Sequence, residues 1–315
     1  MKPQIFVDGQ EGTTGLKIHS YLSKRPDLDI IRIDPERRKD TGERRRLINE
    51  ADVVFLCLPD PAARESASLV SNSKTRIIDA STAFRTDPDW TYGLPELNRN
   101  QRGLLRKSLR VSNPGCHATA FILTLYPLVQ EGVVSADYPV TCCSVTGYSG
   151  AGRRMIETYE RSGRENLQSP RHYALKLNHK HVPEMQKVTG LTYPPLFTPI
   201  ISNYHQGLAV SIPLFSRLFQ RKATAADIHD LLASYYVSEP FIRVMPYEAD
   251  ACLDEGFFNV TGCNGTNRAD IFVFGRDDQV LLMARIDNLG KGASGAAIQN
   301  MNIMLGLPEG LGLEN

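Results

Sequence analysis

Four short apolar runs constrain the start of this chain more than any other feature. Residues 4–8, 29–34, 51–58 and 76–79 each read as a strand. Between the first two, a glycine turn leads into a helical pattern carried by Leu16, His19, Tyr21 and Leu22, and residues 61–70 supply a second helix. The third run is continuously apolar and stops at Pro59, as a buried strand of a parallel sheet does. Strands alternating with helices at this interval require right-handed crossovers. The expected fold is therefore α/β, beginning with a Rossmann-like dinucleotide-binding domain.

The turn after the first strand, residues 9–15, carries Gly9, Gly12 and Gly15, with Thr13 and Thr14 opening the helix. Strand, glycine turn and helix in that order form the setting in which a pyrophosphate rests on a helix N-terminus, although a plain tight turn has the same composition. Asp34, ending the second strand, stands where an acidic residue takes the ribose hydroxyls of NAD. Glu36-Arg37-Arg38-Lys39 follows at once, and an arginine there pairs with the extra phosphate of NADP, or belongs to a solvated loop. The two signals conflict.

Ser112-Asn113-Pro114-Gly115-Cys116-His117-Ala118-Thr119 precedes an apolar run, 120–129. Pro114 and Gly115 make a turn, and the spacing of Phe121, Leu125 and Leu128 predicts a helix with one buried face. Cys116 then sits at the helix start, where the partial positive charge favours thiolate and the N–H groups hold an oxyanion. The alternative is a small buried hydrophobe. Residues 80–85, with Ser81 and Arg85, lie at the ligand-binding end of a strand and suit an oxyanion or phosphate, or make an ordinary polar loop. Glu96, in the turn 92–97, reads as functional or as a helix start. Residues 106–111 read as one more strand.

Length and composition bound the rest. At 315 residues the chain suits two domains at about 150 residues each. Apolar content of 42% and a net charge near +1 suit a globular protein without nucleic acid or an anionic membrane as partner. The six cysteines are irregularly spaced, and no signal-like segment precedes the first strand, which points to a reducing cytoplasm. No apolar run approaches a membrane span.

Past Cys116 the pattern changes. Residues 139–147 read as a strand emptying into a flexible loop, 148–153, that ends on Arg153. His179 and His181, two residues apart before Pro183 and Glu184, lack the further ligands of a metal site, so no metal is expected. They read as a general acid/base or as a surface polar turn. Strands at 208–215, 258–262, 271–274 and 279–286, with a helix at 225–236, predict an α+β domain of mostly antiparallel sheet. Residues 287–295 then open a last helix. The expected domains are 1–115 plus 287–315 for cofactor binding, and 116–286 for catalysis and oligomerisation.

A dinucleotide fold, a helix-start cysteine, a histidine and an arginine-bearing anion loop fit one chemistry, reduction of an acyl phosphate to an aldehyde through an enzyme thioester. At these residues the chain resembles the N-acetyl-gamma-glutamyl-phosphate reductases of arginine biosynthesis, in their shorter form. Asn113-Pro114-Gly115-Cys116, the Gly9/Gly12/Gly15 turn and His179 to Glu184 carry the likeness, with the segments around Ser81, Tyr92, Ser149 and Asp287. The resemblance implies Cys116 as nucleophile and His181 as acid/base, with His179 its rival. It implies Ser81 and Arg85 at phosphate, Ser149, Gly150 and Arg153 at the acyl chain, and Asn113 and Glu184 among the substrate- or phosphate-binding residues. For the cofactor, NADP, it implies Gly9, Gly12, Thr13, Thr14, Gly15, Arg37, Arg38, Lys291 and again Gly150. A homo-oligomer, dimer or tetramer, is implied as well. His117 stands where longer members carry an aromatic residue, and it either lowers the Cys116 pKa or points to solvent. The rival readings are the same chemistry on an aminoadipyl or aspartyl phosphate, a non-catalytic nicotinamide-binding regulator, and a cysteine hydrolase.

Overall fold

A computed structural model describes residues 1–10, 12–161, 165–247, 250–276 and 278–315; Glu11, within the expected glycine turn, lies outside them. The chain divides into two compact units, Met1–Gly115 with Ala293–Leu313, and Cys116–Gly292 with Glu314–Asn315. Residues 287–292, expected with the first unit, thus lie with the second.

In the first unit β1 (Gln4–Asp8), β2 (Asp29–Ile31), β3 (Val53–Leu56), β4 (Arg76–Asp79), β5 (Thr91–Tyr92) and β6 (Arg110–Ser112) form one sheet in the order β2-β1-β3-β4-β6-β5. Every pairing in it is parallel. Crossovers run through α1 (Thr13–Leu22), α2 (Thr41–Glu50), α3 (Asp60–Ser68) and α4 (Gln101–Lys107). Two expectations are corrected here. The strand at 29–34 stops at Ile31 because Asp34 turns its carboxylate onto the Glu36 N–H and starts a 3-10 turn. The strand expected over 106–111 is the end of α4 followed by β6.

The last helix, Gly295–Leu305, supplies Ala297, Ile298, Met301, Ile303 and Met304 to the core beneath β1 and β3. Burying these side chains stabilises the unit by roughly 1.5–3 kcal/mol for each large one.

In the second unit α5 (Cys116–Gln130) is surrounded rather than half-buried. His117 through Leu125 are all buried, so the expectation of one buried face is corrected: a helix apolar on every side belongs inside a core. Around it lie β7 (Thr141–Gly147), α6 (Arg153–Glu160), β8 (Arg171–His172), α7 (Val182–Thr189), β9 (Leu196–Ser202), β10 (Leu208–Phe215), α8 (Ala225–Tyr235), β11 (Ile242–Val244), β12 (Ala269–Arg276) and β13 (Gln279–Ile286). The sheet order is β11-β12-β13-β10-β7-β9-β8, with β11–β12 and β7–β9 parallel and the other pairs antiparallel.

Residues 258–262 are not a strand. Asn259 Oδ1 accepts from the Thr261 N–H and hydroxyl at 2.9 and 2.8 Å, a local turn that competes with sheet pairing. Residues 148–153 are not a loose loop either, but a 3-10 turn (Tyr148–Ala151) running into α6.

Candidate functional site

The turn after β1 is fixed by sterics. Gly9 has φ +94°, and a Cβ there would lie 2.3 Å from the Cys57 carbonyl oxygen. A Cβ on Gly15 would lie 2.4 Å from the carbonyl oxygen of Gly9. Neither position tolerates a side chain. Gly12 caps α1 with no side-chain hydrogen bond among the described residues, so the N–H groups of Thr13, Thr14 and Gly15 have no partner within the helix. That is the cradle a dinucleotide pyrophosphate needs. At the end of β2, the Asp34 carboxylate is engaged by the Glu36 N–H, while Arg37 pairs with Asp40 and Glu43 at 3.2 and 3.3 Å. Arg38 closes that 3-10 turn.

At the end of β4, Asp79 is fully buried and accepts the Ser81 hydroxyl at 2.7 Å. Burial pushes its carboxyl up to about 6, against the downward pull of that hydrogen bond and of Arg85. Ser81 Oγ also accepts the Ala83 N–H, which shapes the turn. Arg85 donates to the carbonyls of Asn113 and Ala80 at 3.0 and 3.3 Å, so its guanidinium is oriented before any ligand arrives. Asn113 is occupied at both ends of its amide: Nδ2 donates to the Ala293 carbonyl at 2.9 Å and Oδ1 accepts from Asn300 at 3.2 Å. Its side chain braces the turn. Asn300 was not visible as a functional residue in sequence, since nothing local ties it to residue 113.

In the second unit Cys116 occupies the first position of α5. A Cβ on Gly292 would lie 2.7 Å from the Cys116 Cβ, so the absence of a side chain at 292 is what lets the cysteine backbone sit where it does. His117 meets neither expectation. It is buried, with Nδ1 2.8 Å from Ser144 Oγ and Nε2 2.9 Å from the Tyr173 hydroxyl. The single Ser144 hydroxyl proton goes to the Ala209 carbonyl at 3.0 Å, so Nδ1 is the donor and Nε2 accepts from Tyr173. Burial first, then the charges of His179 and Lys180, hold its pKa well below 6.5. A neutral imidazole supplies no charge with which to lower the Cys116 pKa.

Around His117 the other imidazoles converge. The His179 and His181 rings each lie 5.4 Å from it and 4.8 Å from each other, and Phe197 packs 5.2 Å from both His117 and His179. His179 Nδ1 accepts the His181 backbone N–H at 3.1 Å, which leaves Nε2 to carry the proton of the neutral ring. His181 precedes α7, and its Nε2 is 4.0 Å from Glu184 Oε1, both side chains being buried. The surface-turn reading of this segment is thereby corrected for His181 and Glu184. Among the described residues no His, Cys, Asp and Glu group of three or more is arranged to hold a metal.

The remaining expected residues are dispersed. Ser149 is buried and accepts from Asn288 Nδ2 at 3.0 Å, while Asn288 Oδ1 accepts the Gly207 N–H at 2.7 Å. A Cβ on Gly150 would crowd that same Asn288 at 3.3 Å. Arg153 is largely exposed and pairs with Glu157. Lys291 is fully buried, its Nζ 5.8 Å from the centre of the Phe241 ring. Ser144 and Tyr173, which orient His117, carried no sequence signal because each reaches the site only through the sheet.

Comparison with known proteins supplies the context. The family model described as semialdehyde dehydrogenase, NAD binding domain, matches residues 4–103, and semialdehyde dehydrogenase, dimerisation domain, matches residues 116–288. N-acetyl-gamma-glutamyl-phosphate reductase 2 of Nostoc sp. is 46% identical over 99% of both chains. N-acetyl-gamma-glutamyl-phosphate reductase of Mesorhizobium japonicum is 44% identical over 98% of this chain and 100% of its own. The structure of aspartate semialdehyde dehydrogenase from Francisella tularensis superposes with a TM-score of 0.72 at 14% identity, covering 97% of this chain and all of the other, a likeness of fold. Among the described residues no helix is long and apolar enough to cross a membrane.

Proposed function

The chain belongs to the N-acetyl-gamma-glutamyl-phosphate reductase family, and on that premise we propose that it reduces N-acetyl-L-glutamyl 5-phosphate to N-acetyl-L-glutamate 5-semialdehyde and phosphate, with NADPH, in arginine biosynthesis. The observation that carries this reading is Cys116 at the head of a buried helix, beside a cluster of three imidazoles, in a chain 46% identical to a reductase of that name.

In this reaction the Cys116 sulfur attacks the acyl carbon, the bond to phosphate breaks, and a thioester to the enzyme forms. A nicotinamide cofactor, when bound, supplies the hydride that reduces the thioester. As the C–S bond then breaks, the carbonyl forms and the thiolate leaves. His179 and His181 hold and move the proton at the substrate oxygen and at sulfur, with Glu184 orienting His181. Ser81 and Arg85 take the phosphate, and Asn113 acts as a positioning residue for that turn. The first helix turn, Thr13 to Gly15 with Gly9 and Gly12, takes the pyrophosphate, and Arg37 or Arg38 takes the 2′-phosphate after giving up its present partners. Ser149, Gly150 and Arg153 hold the acyl chain. Lys291 is assigned to the cofactor side of the site. Self-association belongs to the second unit, in line with the family model that matches it.

The test follows nicotinamide absorbance with N-acetylglutamate 5-semialdehyde, inorganic phosphate and NADP. Wild type is expected to reduce NADP only when phosphate is present, and Cys116→Ser to lose at least about 10³-fold in kcat. A fully active Cys116→Ser, or turnover independent of phosphate, rejects the thioester route. A preference for NAD over NADP would assign the ribose contact to Asp34 instead of Arg37 or Arg38.

A further inference from the structure

Besides the cysteine and its imidazoles, the second unit contains a cavity of about 620 Å³ lined by Ala151, Arg154, Thr158, Arg161, Asn166 and Arg171, among others. Its charge is one-sided. The acidic side chain on its wall, Glu157, pairs with Arg153, and among the described residues none of the three lining arginines has a carboxylate partner. Arg171 is the most constrained of them. Its Nη2 donates to the Tyr159 hydroxyl at 3.1 Å, its guanidinium lies 5.5 Å from the Tyr159 ring, and that ring stacks on Tyr148 at 4.7 Å. Its Nε is buried without a partner among the described residues. An unsatisfied, desolvated charged donor costs free energy unless a ligand meets it.

Register connects this arginine to the cysteine. Arg171 lies opposite Ile201 in the antiparallel β8–β9 pair, and the Tyr173 N–H donates to the Pro199 carbonyl, which extends the same ladder. Residues opposite each other share a face, so Arg171 and Tyr173 lie on the face of β9 that carries the buried Phe197, Pro199 and Ile201, while exposed His172 points the other way. Phe197 and Tyr173 both touch His117, the neighbour of Cys116. Alternate residues of a strand are about 7 Å apart. In an N-acetylglutamyl group four bonds separate the reacting carbonyl carbon from the α-carboxylate carbon, about 5 Å when extended. An aspartyl group is one bond shorter and an aminoadipyl group one longer.

We propose that Arg171, on the same sheet face as Tyr173 and at the wall of the arginine-lined cavity, binds the α-carboxylate of the acyl substrate and so sets the chain length accepted. This rests on the acyl-phosphate reading above. Tyr159 positions the guanidinium through Nη2, and charge-assisted hydrogen bonds from its remaining N–H groups to a carboxylate are the interaction in which arginine is strongest. Arg154 and Arg161 add same-sign charge at the wall and favour an anionic over a neutral substrate tail.

The test compares N-acetylglutamate 5-semialdehyde with 4-acetamidobutanal, the same aldehyde with hydrogen in place of the carboxylate, in the phosphate-dependent assay. Wild type is expected to prefer the carboxylated aldehyde by about 10²-fold or more in kcat/KM, a preference that collapses to within about fivefold in Arg171→Gln. Tyr159→Phe, which keeps the packing and removes only the hydroxyl, is expected to narrow the same ratio about threefold to tenfold, and it serves if Arg171→Gln does not fold. The proposal is overturned if the ratio survives both substitutions, if both aldehydes lose equally, or if the KM for inorganic phosphate alone rises. No turnover of either aldehyde by wild type would instead reject the reductase reading on which the proposal stands.

Discussion

Asp79 in the first unit and Asp270 in the second are equally withdrawn from solvent, yet their surroundings drive them in opposite directions. Asp79 ends a parallel strand with the Ser81 hydroxyl as its hydrogen-bonded neighbour, and burial lifts its pKa to about 6. Asp270 lies on β12 opposite Arg285 of β13. Burial pushes it upward too, but hydrogen bonds from Arg243 and Arg285 and the charge of Arg268 outweigh that and hold it below the ordinary carboxylate range. The same desolvation is left standing in one place and neutralised in the other. The uncompensated carboxyl lies beside the turn proposed to take phosphate, where a fixed negative charge would oppose the ligand, whereas the compensated one ties β11, β12 and β13 together.

The contrast breaks most visibly at Asp270. Asp270→Asn leaves Arg285 buried without its carboxylate and is expected to cost about 3–5 kcal/mol, read as a lowered denaturation midpoint. A change below 1 kcal/mol would mean the three arginines relax into water.

Asp79→Asn should act with the opposite sign. The folded carboxyl keeps its proton to about pH 6 while the unfolded one releases it near 3.8, so wild-type stability falls as pH rises through that interval and the penalty is complete above it. The variant, which still accepts the Ser81 hydroxyl, is expected to be about 3 kcal/mol more stable than wild type at pH 8 and equal to it below pH 4. Denaturation at the two pH values decides this. Equal stability at both would show that the burial penalty is met by another group.

A smaller effect sharpens the same rule for a base. His117 stays neutral in the folded state while the unfolded imidazole takes a proton below about pH 6.5, so stability should be lost as pH falls from 6.5 toward 5.5, by about 1 kcal/mol. His117→Phe should flatten that slope in a pH series of denaturation midpoints, whatever its absolute stability. An unchanged slope would assign the titration to another histidine.

The sequence was most legible where local order dictates structure. The alternation of apolar runs and helical spacing led to the parallel sheet, and Pro114-Gly115 before an apolar run put Cys116 at a helix start. Legibility failed where partners are distant or where a side chain diverts the backbone. Strand β9 carries Pro199, which argues against an interior strand, yet β9 pairs on both sides, with β7 and β8. The state of His117 depends on Ser144, 27 residues away, and Tyr173, 56 residues away. No periodicity encodes such contacts. At 258–262 the apolar content suggested a strand, but Asn259 folds the backbone onto Thr261 instead.

The last helix has a consequence for how the molecule is made. Its side chains complete the core of the first unit, and Arg25 donates to the Asn302 amide oxygen at 2.9 Å and to the Leu311 carbonyl at 3.0 Å. Translation delivers these residues only after the whole of the second unit. During synthesis the N-terminal sheet therefore leaves the ribosome with one wall of its interior missing, exposing Ile5, Val7 and Val53. The second unit, continuous apart from two terminal residues, can close first. The second unit is therefore expected to complete its core before the first, although the first is synthesised earlier, with the glycine turn after β1 among the last parts to settle.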